Sequence, residues 1–153
     1  MFRAPLFLGK SRTTMSDPFS LQRFVAAQAP VYPRVVSELR AGRKQSHWMW
    51  FIFPQIEGLG HSAMAQRYAV GSRAEAEAYL DHPVLGPRLR DCTRLVNAVA
   101  HKDIHAILGS PDDMKFKSSM TLFAMVTADN ADFVAALHKY YDGEFDPATI
   151  ARL

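Results

Sequence analysis

The chain has 153 residues, of which 48% are hydrophobic and 22% charged, and this composition excludes a disordered chain and a membrane-spanning protein. A domain of this length buries roughly 70% of the surface that its unfolded chain exposes. The net charge of +3 comes from basic residues dispersed among acidic ones, so we do not expect nucleic acid as a partner. One cysteine permits no internal disulfide and favours a reducing compartment, so we expect a cytoplasmic protein.

Residues 1–14 differ from the rest of the chain. They contain three basic residues and a short apolar patch, without helical periodicity, and a second methionine follows at Met15. The patch is too short for a signal peptide, and the segment makes a poor amphipathic transit helix. We therefore expect a disordered extension or the product of an upstream start codon over residues 1–14, and a single helical domain over residues 15–153. Deleting residues 1–14 should leave the melting temperature almost unchanged.

Helix-start signals recur along the remaining chain, most of them an N-capping side chain followed by proline or by a glutamate three positions later. They stand at Asp17-Pro18, at Ser72 with Glu75, at Ser110-Pro111, at Asp129 or Asn130, and at Asp146-Pro147. Apolar residues at helical spacing run over residues 85–99, and over residues 32–39, where Gly42 can end the helix in a left-handed cap. No stretch shows sustained strand alternation. The predicted fold class is mostly α: a single compact multi-helix domain with at most minor strand content.

The segment from His47 to Gln55 is the most informative, because its nine residues contain both tryptophans and two of the ten phenylalanines. It is too short to span a bilayer and too apolar for a loop, so it must be buried. On a helix Trp48 and Trp50 point about 200° apart, so both cannot enter one core. One ring can then lie at a cleft where a ligand ring could stack, with Arg43 and Lys44 at its mouth. The alternative is that both tryptophans are core residues, as they are more often.

A second candidate surface lies on the helix that follows Ser110. Asp112, Lys115 and Ser119 are three and four residues apart and so share a helix face, with Ser118 beside it. Lys115 could bind an anionic group that the two serine hydroxyls orient. The alternative is an exposed ion pair between Asp112 and Lys115, which would contribute little to stability, with small serines that let another helix approach.

Other residues with possible chemistry give no cofactor or metal motif. Gly58-Leu59-Gly60 lacks the third glycine and the preceding strand of a dinucleotide-binding fingerprint. His101 and His105 are separated by Asp103, a candidate helix cap, and no third ligand stands at a supporting spacing. Cys92 lies on an apolar stripe, which predicts a buried and unreactive thiol. We therefore expect no metal and no cofactor.

Four motifs occur in order along the chain. They are Asp17-Pro18-Phe19 with residues 21–28, Ser46 to Gln55 with Gly58-Leu59-Gly60, Tyr79-Leu80-Asp81-His82-Pro83, and Asp112 and Lys115 with Ser118 to Phe123. Together they resemble a bacterial family of domains of unknown function, some of whose members are called calpastatin. The resemblance covers about residues 16–153 and implies a mostly α-helical fold, as in a mycobacterial member, but no catalytic residues. An inhibitor of the calpastatin type is a long disordered repeat chain, whereas this composition is that of a compact domain.

The aromatic segment and Lys115-Phe116 also resemble, at the level of the fold, helical domains that process ADP-ribose and riboflavin-pathway intermediates. Such glycosidases need a carboxylate near the sugar carbon. The resemblance therefore implies Glu57 or Asp112 as the candidate carboxylate, provided that it lies in the same pocket as a tryptophan and Lys115.

Three functions follow as hypotheses. The first is the binding of a small anionic, ring-bearing, nucleotide-like ligand in one pocket, with predicted site residues Arg43, Lys44, His47, Trp48, Trp50, Gln55, Lys115, Ser118 and Ser119. The second is a hydrolase that acts on ADP-ribose-like or phosphorylated N-glycosidic substrates, which requires in addition a perturbed carboxylate or histidine in that pocket. The third is a protein-interaction module with an exposed apolar patch, built from Phe19, Tyr32, Tyr140 or Tyr141. The sequence indicates neither an enzyme nor an oligomeric state.

Overall fold

A computed structural model describes residues 17–153, so the predicted extension at residues 1–14 lies outside the described residues. The described chain forms ten helices: α1 Gln22–Gln28, α2 Tyr32–Arg40, α3 Met49–Ile52, α4 Ala63–Arg67, α5 Arg73–Asp81, α6 Leu85–Ala98, α7 Ile104–Leu108, α8 Asp112–Val126, α9 Ala131–Tyr141 and α10 Pro147–Ala151. Strand pairing within this range is limited to one parallel bridge between Ile56 and Val70. The prediction of a single, mostly α domain is confirmed.

Three of the ten described helices begin with a side-chain cap, at Ser62, Ser72 and Asp103. The side chain of Ser72 accepts a hydrogen bond from the Glu75 amide at 3.1 Å, as the capping box predicts. The Glu75 carboxylate reaches back one residue further than that motif requires and accepts from the Gly71 amide at 3.0 Å. Gly42 ends α2 with a φ of +72°, the left-handed conformation that glycine adopts without a steric penalty.

The helix in the aromatic segment is short. Only Met49–Ile52 is helical, so Trp48 and Gln55 lie outside the helix. Phe53 leaves the helical region, with φ −124° and ψ 73°, because it precedes Pro54. The proline ring disfavours the α conformation in the residue before it.

Helix α8 is the centre of the domain, and it packs against α5, α7, α9 and α10. Its residues from Ser118 to Ala124 are all buried. Aromatic rings connect α8 to the elements around it. The ring centroids of Phe53 and Phe116 are 4.9 Å apart, and those of Phe123 and Phe133 are 6.0 Å apart. Such edge and tilted contacts add to the burial energy of the rings.

Helix α6 is the second core helix, and it packs against α2, α5 and α9. Its first turn approaches α5 closely at Gly86, where an added Cβ atom would stand 2.1 Å from the carbonyl oxygen of Leu80. Cys92 of α6 is fully buried, as its place on the apolar stripe predicts. Within residues 17–153, no helix is long and apolar enough to cross a membrane.

Candidate functional site

A cleft lies where α3, the segment after it, α4 and α8 meet. The space between its atoms is about 290 Å³ including the part that is open to solvent, and the centres of water-sized groups can reach about 10 Å³ of it. That accessible space holds about one water molecule, so only one small group of a ligand can enter it. We call this depression the Trp50 cleft; among the residues that line it are Met49, Trp50, Phe53, Gln55, Tyr68 and Lys115.

The two tryptophans differ in their burial. Trp48, at the N-cap position, is 1% exposed and packs in the core. Trp50 is partly buried and lines the cleft. Trp48 has a φ of −141° and precedes the helix, so the angle of about 200° calculated for two helical residues does not apply to this pair.

Lys115 of α8 lies over the ring of Trp50, with Nζ 5.7 Å from the ring centroid. It forms no ion pair with any carboxylate in residues 17–153. The alternative of an Asp112–Lys115 ion pair is not observed, because Asp112 pairs with Lys44 at 2.9 Å. Lys117, two residues later, pairs with Glu144 at 3.8 Å. Lys115 is therefore a partly buried cation whose neighbours supply an aromatic face but no counter-charge.

The side chain of Glu38, which the sequence analysis did not single out, fixes the segment that leads into α3. Its Oε1 accepts hydrogen bonds from the amides of Gln45 and Ser46 and from Nε1 of Trp48, at 2.8, 3.1 and 2.9 Å. Its Oε2 accepts from the Ser46 hydroxyl at 2.6 Å. Burial alone would raise the pKa of Glu38, but these hydrogen bonds outweigh it and lower the pKa to about 2. One feature of the sequence could have identified Glu38: it is an acidic residue next to Leu39, on the apolar side of α2, and a buried carboxylate needs partners.

The two serines on α8 lie away from the cleft. Ser118 donates a hydrogen bond to Oδ2 of Asp146 at 2.7 Å and so connects α8 to the start of α10. Burial would raise the pKa of Asp146, but hydrogen bonds from Thr149 and Ser118 outweigh this effect and lower it. Ser119 is fully buried, and its hydroxyl has no hydrogen-bond partner among the described residues.

The indole Nε1 of Trp50 is also buried without a hydrogen-bond partner in the part of the chain that the structure describes. A buried donor without an acceptor costs about 1–3 kcal/mol. Nε1 of Trp48, by contrast, donates a hydrogen bond to Glu38. The unsatisfied donor therefore belongs to the tryptophan at the cleft.

The structure thus brings together three of the nine predicted site residues: Trp50, Gln55 and Lys115. Four others have partners or positions elsewhere, namely Lys44, Trp48, Ser118 and Ser119. Arg43 and His47 are exposed and are not among the residues that line the cleft.

The two carboxylates considered for hydrolysis lie outside the cleft lining. Asp112 is neutralised by Lys44, and Glu57 is exposed. Neither aspartate, glutamate nor histidine is among the described residues that line the Trp50 cleft. The structure also contains, over residues 17–153, no group of three acidic, histidine or cysteine side chains placed to hold a metal ion.

The aromatic residues considered for an interaction surface are largely engaged within the domain. Phe19, Tyr32, Tyr140 and Tyr141 are partly buried and pack against the core. The hydroxyls of Tyr140 and Tyr141 donate hydrogen bonds to backbone carbonyls of Val96 and Asp113. The large apolar side chains with the greatest exposure among the described residues are instead Met114, Phe145, Ile150 and Leu153.

Comparison with known proteins assigns the chain to a protein family. Residues 18–153 match the model of the family described as Protein of unknown function (DUF1810). The chain belongs to this family. It is also similar to the conserved hypothetical protein Rv1873 from Mycobacterium tuberculosis, whose crystal structure it matches with a TM-score of 0.89 at 61% sequence identity. That match covers 90% of this chain and 98% of the other. A comparison with curated proteins finds no match.

The family and the fold expected from the four sequence motifs are therefore confirmed. In this DUF1810 protein, two of those motifs form walls of the Trp50 cleft. The motif at residues 46–55 supplies Trp50 and Gln55, and the motif that begins at Asp112 supplies Lys115.

Proposed function

We propose that this DUF1810 domain binds a small anionic, ring-bearing molecule of nucleotide-like character at the Trp50 cleft. The observation that carries the proposal is the position of Lys115, with Nζ 5.7 Å from the Trp50 ring centroid and no carboxylate partner in the described chain. A cation that is partly removed from water and has no counter-charge attracts an anion strongly, because the local dielectric is lower than that of water.

The three cleft residues Trp50, Gln55 and Lys115 have different roles in binding the ligand. The Lys115 ammonium binds a phosphate or carboxylate through charge-assisted hydrogen bonds, and Gln55 supplies an amide donor or acceptor beside it. The ring of Trp50 holds the ammonium in place by a cation–π contact. Because only about 10 Å³ of the cleft is accessible to the centres of water-sized groups, the ligand ring lies at the mouth, against the exposed part of Trp50.

The attraction for an anion is local to Lys115. Arg3, Lys10 and Arg12 account for the net charge of +3, so residues 17–153 carry equal numbers of basic and acidic side chains. A domain without net charge provides little long-range steering of anions. The proposal therefore concerns a small molecule and not a nucleic acid.

We place the protein in the cytoplasm, on the support of its single cysteine.

The two alternative functions have less support. A hydrolase that acts on ADP-ribose-like substrates needs a carboxylate at the reacting carbon, and none lines the cleft among the described residues. An interaction module needs an apolar patch of a few hundred Å². The aromatic residues considered for that patch are partly buried against the core.

A thermal-shift screen against inorganic phosphate, ribose 5-phosphate, AMP and ADP-ribose tests the proposal. A ligand at a hundred times its dissociation constant stabilises the folded state by about 2.7 kcal/mol. We expect such a shift with at least one ring-bearing phosphate in the wild type. In Lys115→Ala at the same concentration the stabilisation should fall to about 1.4 kcal/mol or less, because a dissociation constant that is tenfold higher leaves the ligand at about ten times that constant.

Lys117→Ala is the matched control, because Lys117 lies on the same helix but pairs with Glu144 instead of lining the cleft. It should keep the ligand-induced shift. Stabilisation of Lys115→Ala as large as that of the wild type, or no shift with any of the four compounds, would overturn the proposal.

A further inference from the structure

A second depression lies between α2 and α6, and it shares no lining residue with the Trp50 cleft. It is open to solvent, and the centres of water-sized groups can reach about 420 Å³ of it, against about 10 Å³ in the Trp50 cleft. A space of this size is within the range of small-molecule sites. The lining residues are Tyr32, Val36 and Arg40 of α2 and Asp91, Arg94 and Leu95 of α6. Those of α2 are spaced by four residues and so lie along one side of the helix. We call this depression the α2–α6 groove.

The apolar part of the groove is held in a fixed position. The ring of Tyr32 is covered by the Arg88 guanidinium, whose Cζ lies 4.5 Å from the ring centroid. The thiol of Cys92 donates to the Tyr32 hydroxyl, with sulfur and oxygen 3.9 Å apart. Burial raises the pKa of Tyr32, so the phenol remains neutral and does not repel an anion. With Val36 and Leu95 it forms a preorganised apolar wall, which lowers the entropic cost of binding.

The charged residues that line the groove are two arginines, Arg40 and Arg94, and one aspartate, Asp91. Arg94 contacts two carboxylates, since its Nε lies 2.8 Å from Asp132 and its Nη1 lies 3.3 Å from Asp91. Arg40, the last residue of α2, is exposed and forms no ion pair with any carboxylate in residues 17–153. The groove therefore presents an apolar wall beside a guanidinium without a partner.

We infer that the α2–α6 groove binds a small monocarboxylate that carries an aromatic or branched apolar body. The carboxylate pairs with Arg40, whose planar guanidinium suits bidentate recognition of a carboxylate. The body packs between Val36, Leu95 and the ring of Tyr32. A ligand with a positive charge is disfavoured, because two guanidiniums, those of Arg40 and Arg94, line the groove with only one carboxylate, that of Asp91.

A titration of the full-length chain with 3-phenylpropionate, followed by amide NMR shifts, tests this inference. We expect saturable shifts at millimolar concentrations, centred on the amides of Val36 and Leu95. The uncharged 3-phenylpropionamide and the cationic 3-phenylpropylamine have the same ring and should bind more weakly. Arg40→Ala should weaken binding of the carboxylate by about tenfold or more, the usual effect of losing a hydrogen bond to a charged group.

Arg34→Ala is the matched control, because Arg34 is an exposed arginine of the same helix that does not line the groove. It should bind 3-phenylpropionate as the wild type does. The inference is overturned by equal binding of the carboxylate and the amide, by undiminished binding in Arg40→Ala, or by the absence of saturable shifts. Shifts confined to the Trp50 cleft would also overturn it, and would leave the proposal for that cleft intact.

Discussion

Glu38→Gln removes the charge that fixes the segment before α3 while keeping the shape of the side chain. The folded protein lowers the pKa of Glu38 from its ordinary value of 4.5 to about 2. A difference of this size corresponds to up to about 3 kcal/mol of folding stability, since each tenfold change in proton affinity equals about 1.4 kcal/mol. Because the folded-state pKa is the lower one, this stability is present above pH 4.5 and is lost as the pH falls towards 2.

Urea unfolding of the wild type and of Glu38→Gln at pH 7, 4 and 3 measures this contribution. We expect the variant to be less stable at pH 7 by about 2–3 kcal/mol, and the difference to shrink by about half at pH 3. Glu77→Gln is the control, because Glu77 is 50% exposed and lies 3.7 Å from Arg73 in a surface pair that should contribute little. A difference between wild type and Glu38→Gln that does not change with pH would refute the reasoning.

Three further predictions concern the core. Leu89→Ala and Phe123→Ala should each lower the free energy of unfolding by about 2–5 kcal/mol, and a loss below about 1 kcal/mol would place these side chains at the surface. Gly86→Ala should cost about 1–3 kcal/mol through overpacking against the Leu80 carbonyl, so an unchanged melting temperature would contradict the close approach of α5 and α6. Cys92 is buried, and burial raises its pKa to about 12, so a thiol reagent should label it only after unfolding. Prompt labelling of the native protein would contradict its burial.

The sequence was sufficient to predict the helical fold because the spacing of apolar residues and the turn residues are local signals. Ser72 caps its helix and Gly42 adopts the positive φ that ends α2. The helices that follow Ser110, Asn130 and Asp146 form without a side-chain cap hydrogen bond. Pro54 is also a local signal, because it disfavours the helical conformation of Phe53, where α3 ends.

The candidate site could be predicted only in part, because its contacts join distant segments. Trp48 is buried in the core and Trp50 lines the cleft, but this difference does not follow from helix spacing, because Trp48 precedes the helix. The partner of Asp112 was not predictable from spacing. It pairs with Lys44, whose side chain is 8% exposed, and an ion pair shielded from water is stronger than an exposed pair three residues along a helix. That long-range pairing is what leaves Lys115 without a carboxylate.

Tryptophan fluorescence during a titration with AMP tests the central claim most directly, because Trp50 lines the cleft whereas Trp48 is only 1% exposed. We predict a saturable change in the wild type and in Lys117→Ala. In Lys115→Ala the dissociation constant should rise by about tenfold or more, the expected effect of losing a charge-assisted hydrogen bond. No saturable change at millimolar AMP, or equal affinity in Lys115→Ala and the wild type, would contradict the assignment of the Trp50 cleft as an anion-binding site.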